Sequence, residues 1–255
     1  MQNRKSHLHS NQHHNQTGYN QHHKRSSRPE NNRIIRDGWI VTMNTMLNSL
    51  DPSLQLIVLM ASLSLLPFII ISMTSFLRYI IVLSILKTAL GTQQVPPAVV
   101  LVGMALILTF YTMAPVFGEI YEVVNPMLER GDNIVSVLDQ GSVPLKHFMM
   151  RQTHQSDIAF FLEMGRTELP ETPDDIQIWE VAPAYMLSEL RTSFEIGFII
   201  FIPFIVLDLV VANILLALGM FMLSPTIISL PFKILVFVAV DGWSLIINGM
   251  VQSFN

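Results

Sequence analysis

The sequence predicts an all-α membrane protein of kinked helical hairpins, with about four hydrophobic segments and a partly helical acidic extramembrane insertion. Of its 255 residues, 51% are hydrophobic and only 13% are charged, whereas a typical soluble domain has about 25% charged residues. The mean hydropathy is +0.45. So few charges could not cover a soluble surface, and several apolar stretches exceed the roughly 18 residues that indicate a membrane span.

Composition also excludes several functional classes. The chain has no cysteine, which excludes disulfides, thiolate metal sites and cysteine nucleophiles. Its net charge of −4 gives no basic footprint for nucleic acid. No phosphate-binding glycine motif, HExxH or GxSxG sequence is present. We therefore predict a protein that is not an enzyme, with no catalytic, cofactor-binding or metal-binding residues.

Residues 1–53 are predicted to be a polar, disordered N-terminal extension. They contain 7 of the 15 Lys and Arg residues and little apolar surface to offset the entropy of ordering. We do not expect a secretory signal peptide, because Ile34–Leu50 lacks an unbroken apolar core. Six histidines could instead bind a metal, and translation could instead start at Met43 or Met46. The histidines are His7, His9, His13, His14, His22 and His23.

Residues 54–118 are predicted to be the first hydrophobic helical hairpin. Leu54–Leu86 is almost entirely apolar and, as one helix, would measure about 50 Å, more than the roughly 30 Å of a hydrocarbon core. Pro67 should kink or interrupt it. Gly91–Pro97 (GTQQVPP) forms a polar turn, and Ala98–Gly118 is the second span.

Residues 119–192 are predicted to be an acidic, periplasmic helical region, with 13 acidic and 5 basic residues. Leu145–Met164 has apolar residues at helical spacing, so the region is not a flexible linker. The basic tail argues for a cytoplasmic N-terminus, which would put this region in the cytoplasm too. The charges from residue 54 onward favour the opposite orientation, which we prefer.

Residues 193–255 are predicted to be the second hydrophobic hairpin. Its spans are Ser193–Leu218 and Pro225–Met250, and residues 219–225 between them form an apolar loop. Met220, Phe221 and Met222 lie in this loop. Because methionine is deformable, a ring of such loops could close a pore and yield to cargo. The pattern alone favours the alternative, in which these side chains anchor the hairpin.

Charged residues in apolar segments are costly, so each is a candidate for function. They could relay protons, coordinate ions or line an aqueous path; we expect instead that they pair between helices or between subunits. Near the third span, Arg191 and Glu195 are spaced to pair on one helix face, although this cluster could also contact another subunit. The candidates are Arg78, Lys87, Glu189, Arg191, Glu195, Asp208, Lys233 and Asp241.

From about residue 50 onward the chain resembles the FliP family of flagellar export-gate proteins and its injectisome counterpart, SctR. Five stretches carry the resemblance: MTSFLRYIIVLSILKTALGTQQVPP (Met73–Pro97), LILTFYTMAPV (Leu106–Val116), HFMMRQTHQSDIAFF (His147–Phe161), APAYMLSELRTSFEIGFIIFIPFIVLDLVVANILLALGM (Ala182–Met220) and SPTIISLPFKILVFVAVDGWSLI (Ser224–Ile246). The RQTHQSDIAFF and VDGW…VQSF sequences favour the flagellar branch.

The resemblance implies a function that the composition alone does not indicate. It implies several copies of the chain, assembled with FliQ-like and FliR-like proteins at the flagellar basal body in the bacterial inner membrane. Unfolded flagellar proteins would pass through this assembly, and FlhA-like and FlhB-like components would act with it. Met220, Phe221 and Met222 match the family's methionine-rich pore constriction. Arg151 and Glu189 match stretches associated with contacts between subunits.

Three alternatives have different partners or chemistry. An injectisome export gate would use the same fold for virulence secretion. A small-solute transporter would use Asp208 and Arg78 as binding or proton-carrying groups, and it predicts inverted repeats with matching broken segments. The sequences GTQQVPP and GMFMLSP differ in polarity, which argues against such repeats. An intramembrane hydrolase is a remote option, because no suitable dyad is evident.

Overall fold

The computed structural model describes residues 51–92, 95–165 and 175–254, which form eight α-helices and contain no strand. The all-α prediction is confirmed. Two units divide the chain: residues 1–55, of which only the start of the first helix is described, and residues 56–255, which contain the features discussed below. The predictions for the N-terminal extension, including its histidines and alternative start sites, lie outside the described residues except at 51–53.

The first apolar segment forms two helices, α1 (Pro52–Met73) and α2 (Phe76–Ala89). They are bent by 69° at a break that lies after Met73, so the helix is not interrupted at Pro67, one of the two outcomes predicted there. Helix α1 continues through Pro67 because membrane helices tolerate proline. At the actual break, the Thr74 hydroxyl bonds the Ile70 carbonyl and the Tyr185 hydroxyl donates to the Thr74 carbonyl at 2.9 Å. These contacts satisfy backbone groups at the bend.

Three helices follow: α3 (Ala98–Glu129), α4 (Ile134–Gln152) and α5 (Gln155–Met164). Helix α3 does not end at Gly118, where we predicted the end of the second span. Its sequence becomes polar there, but polar residues such as Glu and Tyr continue a helix readily. Hydropathy therefore marks where the apolar surface ends and not where the helix ends.

Helix α6 (Ile178–Ala217) is 40 residues long and begins well before the predicted third span. A capping box starts it, in which the Glu180 carboxylate accepts a hydrogen bond from the Gln177 backbone N–H at 2.9 Å. Its length of about 60 Å is twice the hydrocarbon thickness. Helix α6 therefore joins the predicted acidic region to the second hairpin without interruption.

The predicted fourth span is two helices, α7 (Pro225–Ala239) and α8 (Gly242–Gln252), bent by 64°. Asp241 between them has the left-handed φ of 49° that ends α7. The next residue, Gly242, has no room for a side chain because the Phe237 ring covers its α-carbon. The bend thus depends on a small residue directly after a left-handed one.

Two of the described helices, α3 and α6, are long and apolar enough to cross a membrane. The count rises to four if each bent pair, α1 with α2 and α7 with α8, is one broken span. This agrees with the predicted four hydrophobic segments. The structure also agrees with kinked helices, since both bent pairs exceed 40°.

Three apolar clusters form the core. The first joins α2, α3 and α8. The second joins α3, α4, α5 and α6, and the third joins α2, α6 and α7. Helices α2, α3 and α6 each contribute buried residues to two clusters, so these three helices form the centre of the fold. The first contains Phe76, Tyr79, Val82, Leu83, Leu101, Ala105, Leu108 and Met250; the second Met113, Val116, Phe148, Met149, Leu162, Ile176, Val181 and Tyr185; the third Leu86, Ala89, Leu90, Phe204 and Phe237.

Candidate functional site: three charge networks and an apolar loop

Arg78 of α2 and Glu189 of α6 form a salt bridge in the interior. Their side chains are 2% and 0% exposed. The Arg78 Nε–H donates to Glu189 Oε2 at 2.8 Å, and Nη2 donates to Oε1, so the contact is bidentate. This planar geometry is available to arginine and not to lysine. Two predicted residues are thereby brought together within one chain.

The other donors of Arg78 reach polar groups that the sequence did not single out. Nη1 donates to the Ser253 carbonyl at 3.0 Å and to its hydroxyl at 2.9 Å, and Nη2 donates to Gln152 Oε1 at 3.2 Å. With the two bonds to Glu189, the five N–H donors of the guanidinium are all used. The Phe254 ring also covers the guanidinium, with 3.7 Å between its centroid and Cζ. We call these five residues the Arg78 junction.

A second network fastens α5 to α6 around Asp157. Asp157 Oδ2 accepts from the Ser188 hydroxyl at 2.6 Å, and Oδ1 accepts from Arg191 Nη2 at 2.8 Å. The Ser188 hydroxyl in turn accepts the His154 backbone N–H at 3.0 Å. Arg191, which we expected to be able to pair with Glu195, thus pairs across helices.

Asp157 is the one charged residue of this network that is buried. Burial raises the pKa of its carboxyl, but the hydrogen bond from Ser188 and the positive charge of Arg191 outweigh that effect. The pKa therefore lies below its usual value, and the carboxyl is ionised at neutral pH. The ionised carboxylate forms a salt bridge with Arg191 at the α5–α6 contact.

The third network joins α6, α7 and the end of α2. Lys233 Nζ donates to Asp208 Oδ2 at 2.7 Å and to the Ala89 carbonyl at 3.2 Å. Ser229 donates to the other oxygen of Asp208. Ala89 is the last residue of α2, where a carbonyl lacks an intrahelical partner and a positive charge is favoured. Lys233 is buried, whereas the Asp208 side chain is 34% exposed.

The remaining predicted charges lie nearer the surface. Lys87 in α2 is half-buried, and Arg151, Glu195 and Asp241 are exposed. Asp241 lies at the bend between α7 and α8 and not within a helix. Their predicted roles in subunit contacts remain predictions. Glu189 differs from them, because it is fully buried inside its own chain and has no surface to offer a neighbour.

The apolar loop at residues 219–225 lies at the opposite end of α6. Gly219 ends the helix with a φ of 73°, which favours glycine, and Pro225 starts α7. Phe221 and Met222 are 77% and 100% exposed, and Met220 and Leu223 are exposed too. The loop thus presents a continuous apolar surface that nothing in the described part of the chain covers.

Six members of the networks were not predicted from the sequence: Gln152, Asp157, Ser188, Ser229, Ser253 and Phe254. Asp157 could have been found, because it is an acid in a segment with apolar residues at helical spacing. The uncharged members carry no such signal, since serine and glutamine are ordinary at helix surfaces. Among the described residues, no group of three or more His, Cys, Asp or Glu side chains could hold a metal ion. The networks connect helices, and their geometry suits structural pairing.

Comparison with known proteins places the chain in a family. The FliP family model matches residues 59–250. The flagellar biosynthetic protein FliP of Bacillus subtilis (strain 168) is 45% identical over 221 residues, which cover 83% of this chain and 100% of that protein. The FliP proteins of Pectobacterium carotovorum subsp. carotovorum and Caulobacter vibrioides are each 46% identical over 79% of this chain, and the matches cover 79% and 76% of their lengths. The chain therefore belongs to the FliP family.

Proposed function

We propose that the protein is a structural pore subunit of the flagellar type III protein export gate. Several copies would assemble with FliQ-like and FliR-like membrane proteins in the bacterial inner membrane, at the basal body. Together they would form the path for unfolded flagellar proteins, with FlhA-like and FlhB-like components acting beside it. The observation that carries the proposal is the contrast between paired intramembrane charges and an exposed apolar loop in a chain of this family.

The charge pairs support a structural role over solute transport. A transporter needs polar groups that are free to bind a substrate or to exchange a proton. Arg78 has all five donors committed within the chain, and Lys233 binds both Asp208 and a helix-end carbonyl. Charges held in this way fix the positions of α2, α6 and α7. Asp208 is the least buried of them and would be the residue to test if transport were found.

The outer surface supports assembly. Large apolar side chains are exposed along α1, α3 and α6, for example Met60, Ile107, Phe198 and Leu209. Apolar area of this extent must be covered by lipid or by neighbouring proteins. A 40-residue helix is also too long to be covered by one bilayer. Protein neighbours would therefore cover part of α6, which fits a multi-subunit gate.

The apolar loop supports the sealing role. Met220 and Met222 are flexible and can adjust to an irregular gap, while Phe221 adds a bulky ring. Several copies of this loop around one axis would form a plug of hydrophobic side chains. Such a plug would exclude water and ions when idle, and it would deform when a chain enters.

Flagellar export is favoured over injectisome secretion by the relatives, since each protein named above is a flagellar biosynthetic protein. An injectisome gate would use the same assembly with different cargo. The two are separated by deleting the gene in its own host and measuring flagellar proteins in the medium. Loss of these proteins, restored by the intact gene, is the expected result.

The assembly itself is tested by co-expressing the chain with its genomic neighbours, followed by affinity purification and native mass spectrometry. We expect one complex with several copies of this chain and two kinds of small hydrophobic partner. A monomer or simple dimer without partners would overturn the proposal and favour the transporter alternative.

The seal is tested in the same complex with Met220→Ala, Phe221→Ala and Met222→Ala combined. We expect ion or dye leakage above that of the wild-type complex in cells that overproduce it. The matched control combines Phe160→Ala and Met164→Ala, which truncate similar exposed side chains on α5. A loop variant that assembles and leaks no more than this control would contradict the sealing role.

A further inference from the structure

Ser253 and Phe254, which follow α8, close over Arg78 from one side. Ser253 accepts two of its N–H donors, and the Phe254 ring lies over the guanidinium. Gln152 of α4 accepts a third donor and also gives its own side-chain N–H to the Phe254 carbonyl at 3.1 Å. Gln152 therefore connects Arg78 to the segment that covers it.

Phe254 is also the place where two core clusters meet. It packs against the first cluster, formed by α2, α3 and α8, and against the second, formed by α3, α4, α5 and α6. Its ring centroid lies 5.5 Å from that of Tyr79 and 6.2 Å from that of Phe148. One side chain thus covers a buried charge and joins two apolar clusters.

This segment nevertheless lies at the surface. Ser253 is exposed and Phe254 is only partly buried, while Arg78 beneath them is 2% exposed. They follow the last residue of α8, Gln252, whereas α8 itself is anchored by Met250, which is 1% exposed in the first cluster. A short surface segment at the end of a helix can open while the helices beneath it stay folded.

We propose that Ser253 and Phe254, which follow α8, are a conformational latch over Arg78. Shut, the latch buries the Arg78–Glu189 pair and joins the first and second core clusters. Open, it uncovers that pair and releases Gln152 of α4. A subunit with an open latch would present charges and apolar surface in place of a finished junction. We therefore expect only latched chains to enter the export gate, a consequence that rests on the proposed function.

The absence of natural cysteines allows a direct test with single introduced thiols. Ala105→Cys places a thiol in the first cluster, against which Phe254 packs, and Ala89→Cys places one in the third cluster. Both positions are buried and both changes are small. Each full-length reporter is purified in detergent, and its rate of reaction with a small maleimide is measured with and without Phe254→Ala.

We expect Phe254→Ala to speed labelling at position 105 by about tenfold or more, because labelling of a buried group follows the population of the opened state. Labelling at position 89 should change little. Ser253→Ala should give a smaller increase at position 105, because the Ser253 carbonyl still accepts from Arg78. Phe160→Ala, which removes an exposed ring on α5, is the control and should alter neither rate.

Two results would overturn the latch. An unchanged labelling rate at position 105 would mean that the Phe254 ring does not control access to the first cluster. An equal increase at both positions would mean that Phe254 supports the whole fold and not a local closure. Both results come from the isolated chain, so they do not depend on whether the export gate forms. Recovery of Phe254→Ala chains in that complex is measured separately.

Discussion

Helix α6 connects two regions of opposite character, the Arg78 junction and the apolar loop. Glu189 and Gly219 lie about 45 Å apart along its axis. At the junction, two charged side chains are almost fully buried and every guanidinium donor has an acceptor. At the loop, Phe221 and Met222 protrude from the chain. The junction completes its contacts within one chain, whereas the loop needs other molecules to cover it.

The junction stabilises the fold of the subunit, whereas the loop provides a surface for contacts with other molecules. A buried ion pair has strict geometry and tolerates the loss of neither partner, so it is suited to fixing helices in one arrangement. A flexible apolar loop makes no contacts that require strict distances and angles, so it can adapt to a neighbour. Substitutions should therefore damage stability at the junction and assembly or sealing at the loop.

The largest effect on stability is expected from Glu189→Ala. It leaves the guanidinium of Arg78 buried without its counter-charge, which costs about 3–5 kcal/mol of the free energy of unfolding. The thermal unfolding midpoint of the detergent-purified protein should fall sharply, and less protein should accumulate in membranes. A variant with the wild-type midpoint would show that the pair does not hold the fold.

The double variant Arg78→Met with Glu189→Met distinguishes the stability lost with the ion pair from the cost of leaving one buried charge unpaired. Removing both charges leaves no uncompensated ion, so much of the lost stability should return. The interaction free energy follows from comparing the double variant with both single variants. Additive losses would contradict a direct coupling between the two residues.

The charges of the junction could be predicted from the sequence, but their pairing could not. An arginine in an apolar segment is conspicuous, and Glu189 lies in a stretch that resembles the family. The two residues are 111 positions apart, so only tertiary packing decides that they meet. Gln152 and Ser253 are ordinary polar residues, and nothing local marks them as ligands of Arg78.

The number of apolar segments could be predicted from the sequence, but the lengths of the helices could not. Hydropathy located the spans, but α3 and α6 continue through polar sequence. The first break lies at Thr74, where side chains satisfy the backbone, and not at Pro67, where the general rule for proline placed it. The apolar loop was located correctly because Gly219 and Pro225 are local signals of a helix end and start.

A smaller loss is expected from Gly197→Leu, which tests the part of α6 between the two regions. A side chain at Gly197 would collide with Ile85 of α2. Overpacking of this kind costs about 1–3 kcal/mol, and it should separate α2 from α6 near the junction. The thermal unfolding midpoint measures this loss of stability.

Gly118→Leu is the matched control, because nothing lies within 4 Å of its added carbon. Ile85→Ala should partly restore the stability of Gly197→Leu. If it does not, the proposed collision is contradicted.

A pH-dependent loss is expected at Asp157, which is buried like the junction but pairs with an exposed arginine. Its pKa is lower in the folded than in the unfolded chain, so its stabilisation is present above about pH 4. It is lost as the pH falls through the folded pKa. Asp157→Asn should cost about 1 kcal/mol at neutral pH and flatten the acid side of the stability profile. The control, Asp132→Asn, breaks an exposed pair with Arg130 and should change little; equal effects would contradict the role of burial.

The smallest effect on stability is expected at the apolar loop. Truncating Met220, Phe221 and Met222 to alanine removes side chains that touch little of their own chain, so the free energy of unfolding should change by less than about 0.5 kcal/mol. The thermal midpoint of the isolated chain should therefore equal that of the wild type, although the assembled complex leaks. A large drop in the midpoint would show that the loop packs within the subunit. The contrast between the two ends of α6 would then fail, because both would serve to fold the chain.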